Sequence, residues 1–184
     1  MIREAASLFD RRGYHLASME DIADAVGVRK PTLYHYFGSK DEILFWIHEE
    51  FIDQLIERQE RRADAAMPVE QLVLEVMSDI LELMDTHRGH VRVFFEHHRE
   101  LPAAEHAAIA AKRATYEAAV AATIERGIEE GVFRPVDVKL ATLALFGMCN
   151  WAYQWYRSEG PLRSREIAYV FWDVLLNGVG APGR

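Results

Sequence analysis

The sequence predicts an all-α protein. Apolar residues recur at three- and four-residue spacing along nearly the whole chain, and β-branched clusters with period-two alternation are absent. The periodic stretches are punctuated by Gly and Pro, at Gly13, Gly27, Gly38, Pro68, Gly89, Pro102, Pro135 and the pair Gly160-Pro161.

Taken in order, Ile2 to Arg12 forms an amphipathic helix with Ile2, Ala5, Ala6 and Phe9 on one face and Gly13 at its C-cap, followed by a short extended link over 14–17. Ser18 is placed to cap a second helix. Asp21, three residues on, can return the bond of a capping box, and Gly27 can take the left-handed conformation that ends the helix after Val26. Pro31 suits the first turn of a very short third helix over 31–36, which Gly38 ends. Ser39 then caps a long fourth helix, with Glu42 completing its capping box, Ile43, Leu44, Ile47, Phe51 and Leu55 as its buried stripe, and a polar tail to Met67. The next helix, 69–86, carries Leu72, Val76, Ile80 and Leu83 on one side and is broken by Gly89. The remaining helices are 90–99, 104–131, 138–157 and 164–177, at spacings too irregular for an internal repeat.

With 184 residues, half of them hydrophobic, the chain can build one sizeable core or a small domain beside a larger one. A net charge of −8 weighs against a nucleic-acid partner. Its distribution permits one without demonstrating it. Over residues 1–48, Arg3, Arg11, Arg12, Arg29, Lys30 and Lys40 nearly balance seven acids, so most of the acidity lies further along. The lone cysteine, Cys149, excludes an internal disulfide, and the N-terminus lacks a signal-peptide apolar run. The longest apolar stretch, 140–156, is interrupted by Asn150 and Gln154 and falls short of the roughly 20 residues a membrane span needs. A cytoplasmic protein with no membrane partner is expected.

Residues 18–37, SMEDIADAVGVRKPTLYHYF, read as helix, turn at Gly27 and short helix, the geometry of a DNA-reading helix-turn-helix. Ile22, Ala23, Val26 and Leu33 would form the small core that fixes the crossing angle. That leaves Lys30, Thr32, Tyr34, His35 and Tyr36 exposed on the second helix, with Lys40 at the next helix start, all able to bond phosphates or base edges. The same pattern occurs in ordinary helical domains, where Tyr34, Tyr36 and Phe37 would be plain core.

The run LFDRRGYHLASMEDIADAVGVRKPTLYHYFGSKDEIL resembles the N-terminal domain of the TetR/AcrR family of transcriptional regulators nearly throughout: a Phe, a Gly-Tyr, a Ser-started helix, a Gly-Val turn, then Leu-Tyr-x-Tyr-Phe before Ser-Lys. The resemblance implies that Lys30, Thr32, Tyr34, His35 and Tyr36 approach DNA and that Ser18 and Lys40 meet phosphates. It further implies a DNA-binding domain over 1–48, a larger helical ligand-binding and dimerisation domain over 49–184, a homodimer built on the last two helices, and repression at a double-stranded operator. Because the chain opens at Ile2 inside what resembles the first helix, the family's basic N-terminal arm is expected to be missing.

The larger half supports a dimer independently. The 138–157 helix is apolar nearly all round, with Leu140, Ala144, Gly147, Trp151 and Trp155 on one side and Leu143, Phe146 and Tyr153 elsewhere, so it needs two partners. Its own core is one. A second subunit, packing also on Phe171, Trp172, Val174 and Leu175, is the other, unless the helix is wholly internal. Dimerisation also places two recognition helices roughly 34 Å apart, as a palindrome requires.

The segment FGMCNWAYQWYRSEGPL resembles family members that respond to acyl-CoA or other lipid-like molecules. Phe94, Phe95, Tyr116, Met148, Asn150, Trp151 and Trp155 are candidate lining for a hydrophobic small-molecule effector, with plain core packing as the competing role. The histidine-rich stretch His87, His90, Glu96, His97 and His98 invites a metal, but His97 and His98 face apart and no second cluster closes a ligand set. Cys149 has no adjacent His, and neither a nucleophile elbow nor a phosphate loop is present, so no catalytic residue, metal or cofactor is assigned. The reading is a ligand-responsive DNA-binding regulator. The alternative is a helical small-molecule-binding protein or enzyme whose helix-turn-helix is only scaffold.

Overall fold

The computed structural model describes residues 1–63 and 67–178. Among them are nine α-helices and no strand: α1 (Ile2–Arg12), α2 (Met19–Val26), α3 (Lys30–Tyr36), α4 (Lys40–Ala63), α5 (Val69–Thr86), α6 (Arg88–Glu96), α7 (Ala103–Glu129), α8 (Val138–Trp151) and α9 (Ser164–Asn177). Short 3-10 turns follow α6 at His98–Glu100 and α8 at Ala152–Gln154. None of the described helices is long and apolar enough to cross a membrane.

The capping chemistry explains the first boundaries. The Ser18 hydroxyl accepts from the Asp21 amide at 3.1 Å while the Asp21 carboxylate accepts from the Ser18 amide at 2.8 Å, so two otherwise orphaned donors are satisfied at the start of α2. At its other end Gly27 sits at φ 77°, ψ 30°, a conformation an L side chain resists.

Several expectations need correcting. The 14–17 link is a turn, closed by the Ala17 amide on the Tyr14 carbonyl at 3.3 Å, and not extended. Ser39 does receive the Glu42 amide at 3.1 Å, but the Glu42 carboxylate returns to the Gly38 amide at 2.7 Å, one residue earlier than a capping box requires. Gly89 is no breaker, because it lies inside the first turn of α6. A Cβ there would come within 2.9–3.0 Å of the Ala6–Ser7 backbone, so Gly89 is the point where α6 and α1 touch backbone to backbone. The 138–157 helix stops at Trp151. Of the predicted polar tail of α4, residues 64–66 lie outside the described residues, and Met67 is not helical.

The chain divides into two compact units: residues 1–54 with 87–113, and residues 55–86 with 114 onward. In the first, α1, α2 and α3 close around Phe9, Ile22 and Leu33, all fully buried, and α4 adds Leu44, Ile47 and Phe51. Each such side chain contributes about 1.5–3 kcal/mol of burial. Of the small α2–α3 core predicted from the sequence, Ile22, Ala23 and Leu33 are buried, while Val26 is only half-buried.

In the second unit α5 packs on α9 and α8, and burial over Val76–Met77 and Ile80–Leu81 leaves it few solvated positions. Within this interior Asp79 is 3% exposed and receives Arg58 and Arg62, each at 2.9 Å. A buried carboxylate is tolerable only when paired in this way, since desolvation alone costs several kcal/mol.

Candidate functional site

α3 is a short helix of about two turns whose one buried residue is Leu33. α3 packs on α2 with only Leu33 buried, and the rest of the helix faces outward: Lys30, Thr32 and His35 are exposed, as are Tyr34 and Tyr36. Tyr34 and Tyr36 are therefore not core, while Phe37, just beyond the helix, is half-buried. His35 and Tyr36 meet edge-on with ring centroids 5.5 Å apart. The Lys30 ammonium stands 3.5 Å from the Glu20 carboxylate, an exposed pair that a phosphate could replace at little cost.

Two predicted phosphate partners have other work in the free protein. The Ser18 hydroxyl is engaged with Asp21, both accepting its amide and donating to its carboxylate at 2.5 Å. Those Ser18 bonds, with Arg12 beside them, hold the Asp21 carboxyl below its usual range. Lys40 turns inward. Its ammonium donates to the carbonyls of Tyr14 at 2.9 Å and Ala17 at 3.1 Å, and lies 4.3 Å above the Tyr14 ring. The Tyr14 hydroxyl in turn donates to Asp41, and burial together with that carboxylate pushes its ionisation up. Lys40 thus clasps the α1–α2 turn to the start of α4. Sequence reasoning missed this because the acceptors are backbone carbonyls, which no residue type announces.

The seven candidate effector residues do not share one environment. Phe94 and Phe95 belong to the first unit, where Phe94 is buried with its ring 4.5 Å from Phe51, and Phe95 is half-buried. The other five belong to the second. There Tyr116 is buried with its ring 5.7 Å from Phe146, and Met148 and Asn150 are half-buried. Trp151 is 64% exposed and Trp155 46% exposed, the latter edge-on to Phe171 at 6.2 Å.

α8 is therefore not internal. Thr142, Leu145 and Cys149 point into the core, while Leu140, Leu143, Ala144, Gly147 and Trp151 form an exposed face, joined on α9 by exposed Tyr169 and Val170. Exposed apolar faces of this kind are one class of surface at which proteins associate.

The second unit also holds a half-open cavity of about 850 Å³, walled by Val73, Ile124, Phe133, Leu140, Trp172 and Leu175, with Arg134 and Glu70 among its polar lining. None of the seven candidates lines it. Gly127 makes part of it possible, because the Phe133 ring lies where a Cβ on residue 127 would stand.

Burial pushes the Cys149 thiol up to about 12, so it stays protonated and unreactive. His48 is fully buried, bonded through Nδ1 to the Leu44 carbonyl at 2.9 Å, and burial pushes it down to about 4. In the histidine-rich stretch, buried His90 lies 3.5 Å from Glu50 and His98 bonds the Phe95 carbonyl at 3.1 Å. Among the described residues no three His, Cys, Asp or Glu side chains converge on one point.

Residues 1–46 match the family model described as bacterial regulatory proteins, tetR family, and residues 65–179 match the tetracyclin repressor-like C-terminal domain. The chain belongs to the TetR family. Likeness to individual members runs the full length. It is 28% identical over 186 residues to the transcriptional repressor KstR2 of Mycobacterium tuberculosis, covering all of this chain and 92% of that one. The solved TetR-family regulator PfmR of Thermus thermophilus superposes with a TM-score of 0.92 at 33% identity over 98% of both chains. The regulator AibR, solved in complex with isovaleryl coenzyme A and operator DNA, superposes with a TM-score of 0.83 at 27% identity over 95% of both. This TetR-family chain is a ligand-responsive, DNA-binding transcriptional regulator.

Proposed function

We propose that this regulator is a homodimeric cytoplasmic repressor that reads a palindromic operator through α3 and leaves it when a hydrophobic effector, of the acyl-CoA class, occupies the larger domain. In this reading residues 1–48 bind DNA and 49–184 bind effector and partner. Ser18, Lys30, Thr32, Tyr34, His35, Tyr36 and Lys40 form the DNA surface. Phe94, Phe95, Tyr116, Met148 and Asn150 are the effector candidates, while the exposure of Trp151 and Trp155 fits them equally to the partner-facing surface.

The observation that carries the proposal is the outward row on α3, four hydrogen-bonding side chains and a histidine on a helix whose one buried residue is spent on bracing. The AibR complex, which holds both a coenzyme A thioester and operator DNA on a chain of this shape, supports the pairing of the two ligands. No observation favours a scaffold-only helix-turn-helix.

The test is a gel shift with the DNA flanking the protein's own gene, with and without an acyl-CoA series. Specific retardation is expected, abolished by Tyr34→Ala or Thr32→Ala with the dimer intact, and relieved by at least one acyl-CoA. Footprints that persist in both variants would remove α3 from DNA reading, and release by small polar metabolites alone would remove the acyl class.

A further inference from the structure

The cations of the first unit are largely spoken for. Arg12 pairs with Asp21, Lys30 faces Glu20, Lys40 is tied to two carbonyls, Arg3 bonds His87 and Arg11 bonds Ser7. Among the Lys and Arg residues of 1–48, Arg29 alone has a side chain with no hydrogen bond or ion pair to any described residue, and it is exposed; only its backbone carbonyl is engaged, by the Thr32 and Leu33 amides. It is also the residue that immediately precedes α3, held in extended backbone at φ −76°, ψ 146° as the N-cap, with no side-chain capping role.

Its position is as informative as its freedom. Arg29 is the exposed N-cap of α3, directly ahead of exposed Lys30 and Thr32, so its side chain leaves the chain at the N-terminal end of the helix. The N-terminal end of a recognition helix is the part that reaches base edges. The neighbouring side chains at that end cannot make a paired-donor contact, because Pro31 has no donor, Thr32 carries a single hydroxyl and Lys30 a point charge that faces Glu20. A guanidinium offers two parallel donors on a long stem, which match the paired O6 and N7 acceptors of guanine in the major groove.

We propose that Arg29 is a specificity-determining residue that reads a guanine in each half-site. The inference rests on the DNA-binding reading of α3. Because Arg29 has no internal partner to give up, its contact costs no broken ion pair, whereas phosphate contacts by Lys30 or Arg12 must first displace Glu20 or Asp21.

The test is selection of bound sequences from a random duplex pool by the full-length wild type, Arg29→Ala, Arg29→Gln and Arg29→Lys, with thermal unfolding of each. The wild type should enrich a symmetry-related guanine at which Arg29→Ala loses about tenfold or more of the preference. Arg29→Gln should shift that position toward adenine, whose N6 and N7 suit an amide, and Arg29→Lys should keep the guanine preference in part. Melting midpoints should be unchanged. An Ala variant with the wild-type base profile and a salt slope shallower by about 0.9 would make Arg29 a phosphate contact and overturn the proposal. A lowered midpoint in all three variants would make it structural and do the same. A wild type that enriches no sequence fails at an earlier step, the reading of α3 itself.

Discussion

Gly89 of α6 presses its bare Cα against Ser7 of α1, where a Cβ would stand 2.9 Å from the Ser7 amide nitrogen. The obstacle is backbone, so neither side can yield by changing a rotamer. Gly89→Ala gains up to about 1 kcal/mol of helix propensity but overpacks a rigid contact at a cost of about 1–3 kcal/mol. The overpacking should win. The expected outcome is a melting midpoint lowered by roughly 2–4 °C per kcal/mol lost, read by circular dichroism. A raised midpoint would mean that α1 shifts freely.

Removing the Lys40 clasp should cost stability in the absence of DNA. Two hydrogen bonds from an ammonium to backbone carbonyls are lost in Lys40→Ala, worth about 2 kcal/mol together after allowance for partial exposure. Urea unfolding measures this. If Lys40 also meets a phosphate, the slope of log K against log salt falls by about 0.9 as well. A variant with wild-type stability and a shallower slope would confine Lys40 to phosphate contact.

The exposed α8 face gives a direct prediction about assembly. Leu143, 45% exposed beside the small residues Ala144 and Gly147, should tolerate Arg in an isolated chain but not against a second copy. Leu143→Arg is expected to sediment as a monomer with wild-type helicity and to lose affinity for a palindromic duplex. Persistence of the dimer in sedimentation would place the interface elsewhere.

His48 sets part of the acid sensitivity. Burial holds it down to about 4 in the folded chain against an ordinary value of 6.5, so the unfolded chain binds the extra proton between those values. Stability therefore falls as pH drops from about 6.5 to about 4 and is flat with respect to this group outside that window. The full effect is on the order of 3 kcal/mol. A buried neutral amide does not titrate, so His48→Gln should show a flatter stability curve over this window. Parallel curves for the two proteins would show that His48 is protonated in the fold.

The elements governed by local chemistry were legible in the sequence. Ser18 with Asp21, Gly27, Pro31 and the stripe from Ile43 to Leu55 are each decided within a few residues, and α2 lies where these signals put it. What escaped was decided by distant chain. Gly89 looks like a breaker until α1 lies against it, and Lys40 looks like a free cation until the 14–17 turn offers its carbonyls. For α8, apolar on all sides, periodicity could not say which face is inward, and the seven effector candidates inherited that ambiguity. Arg29 was visible only as half of a basic dipeptide; that it lacks a partner is a property of the folded chain.

The tryptophans give the molecule an intrinsic optical reporter. Trp46, Trp151 and Trp155 are 45%, 64% and 46% exposed, while Trp172 is half-buried with its indole bonded to the Glu70 carbonyl at 2.7 Å. Emission from the uncovered chain is thus dominated by water-facing indoles, two of them on or beside the α8 face. Covering that face would move the spectrum to shorter wavelength with no label attached, and dilution would move it back.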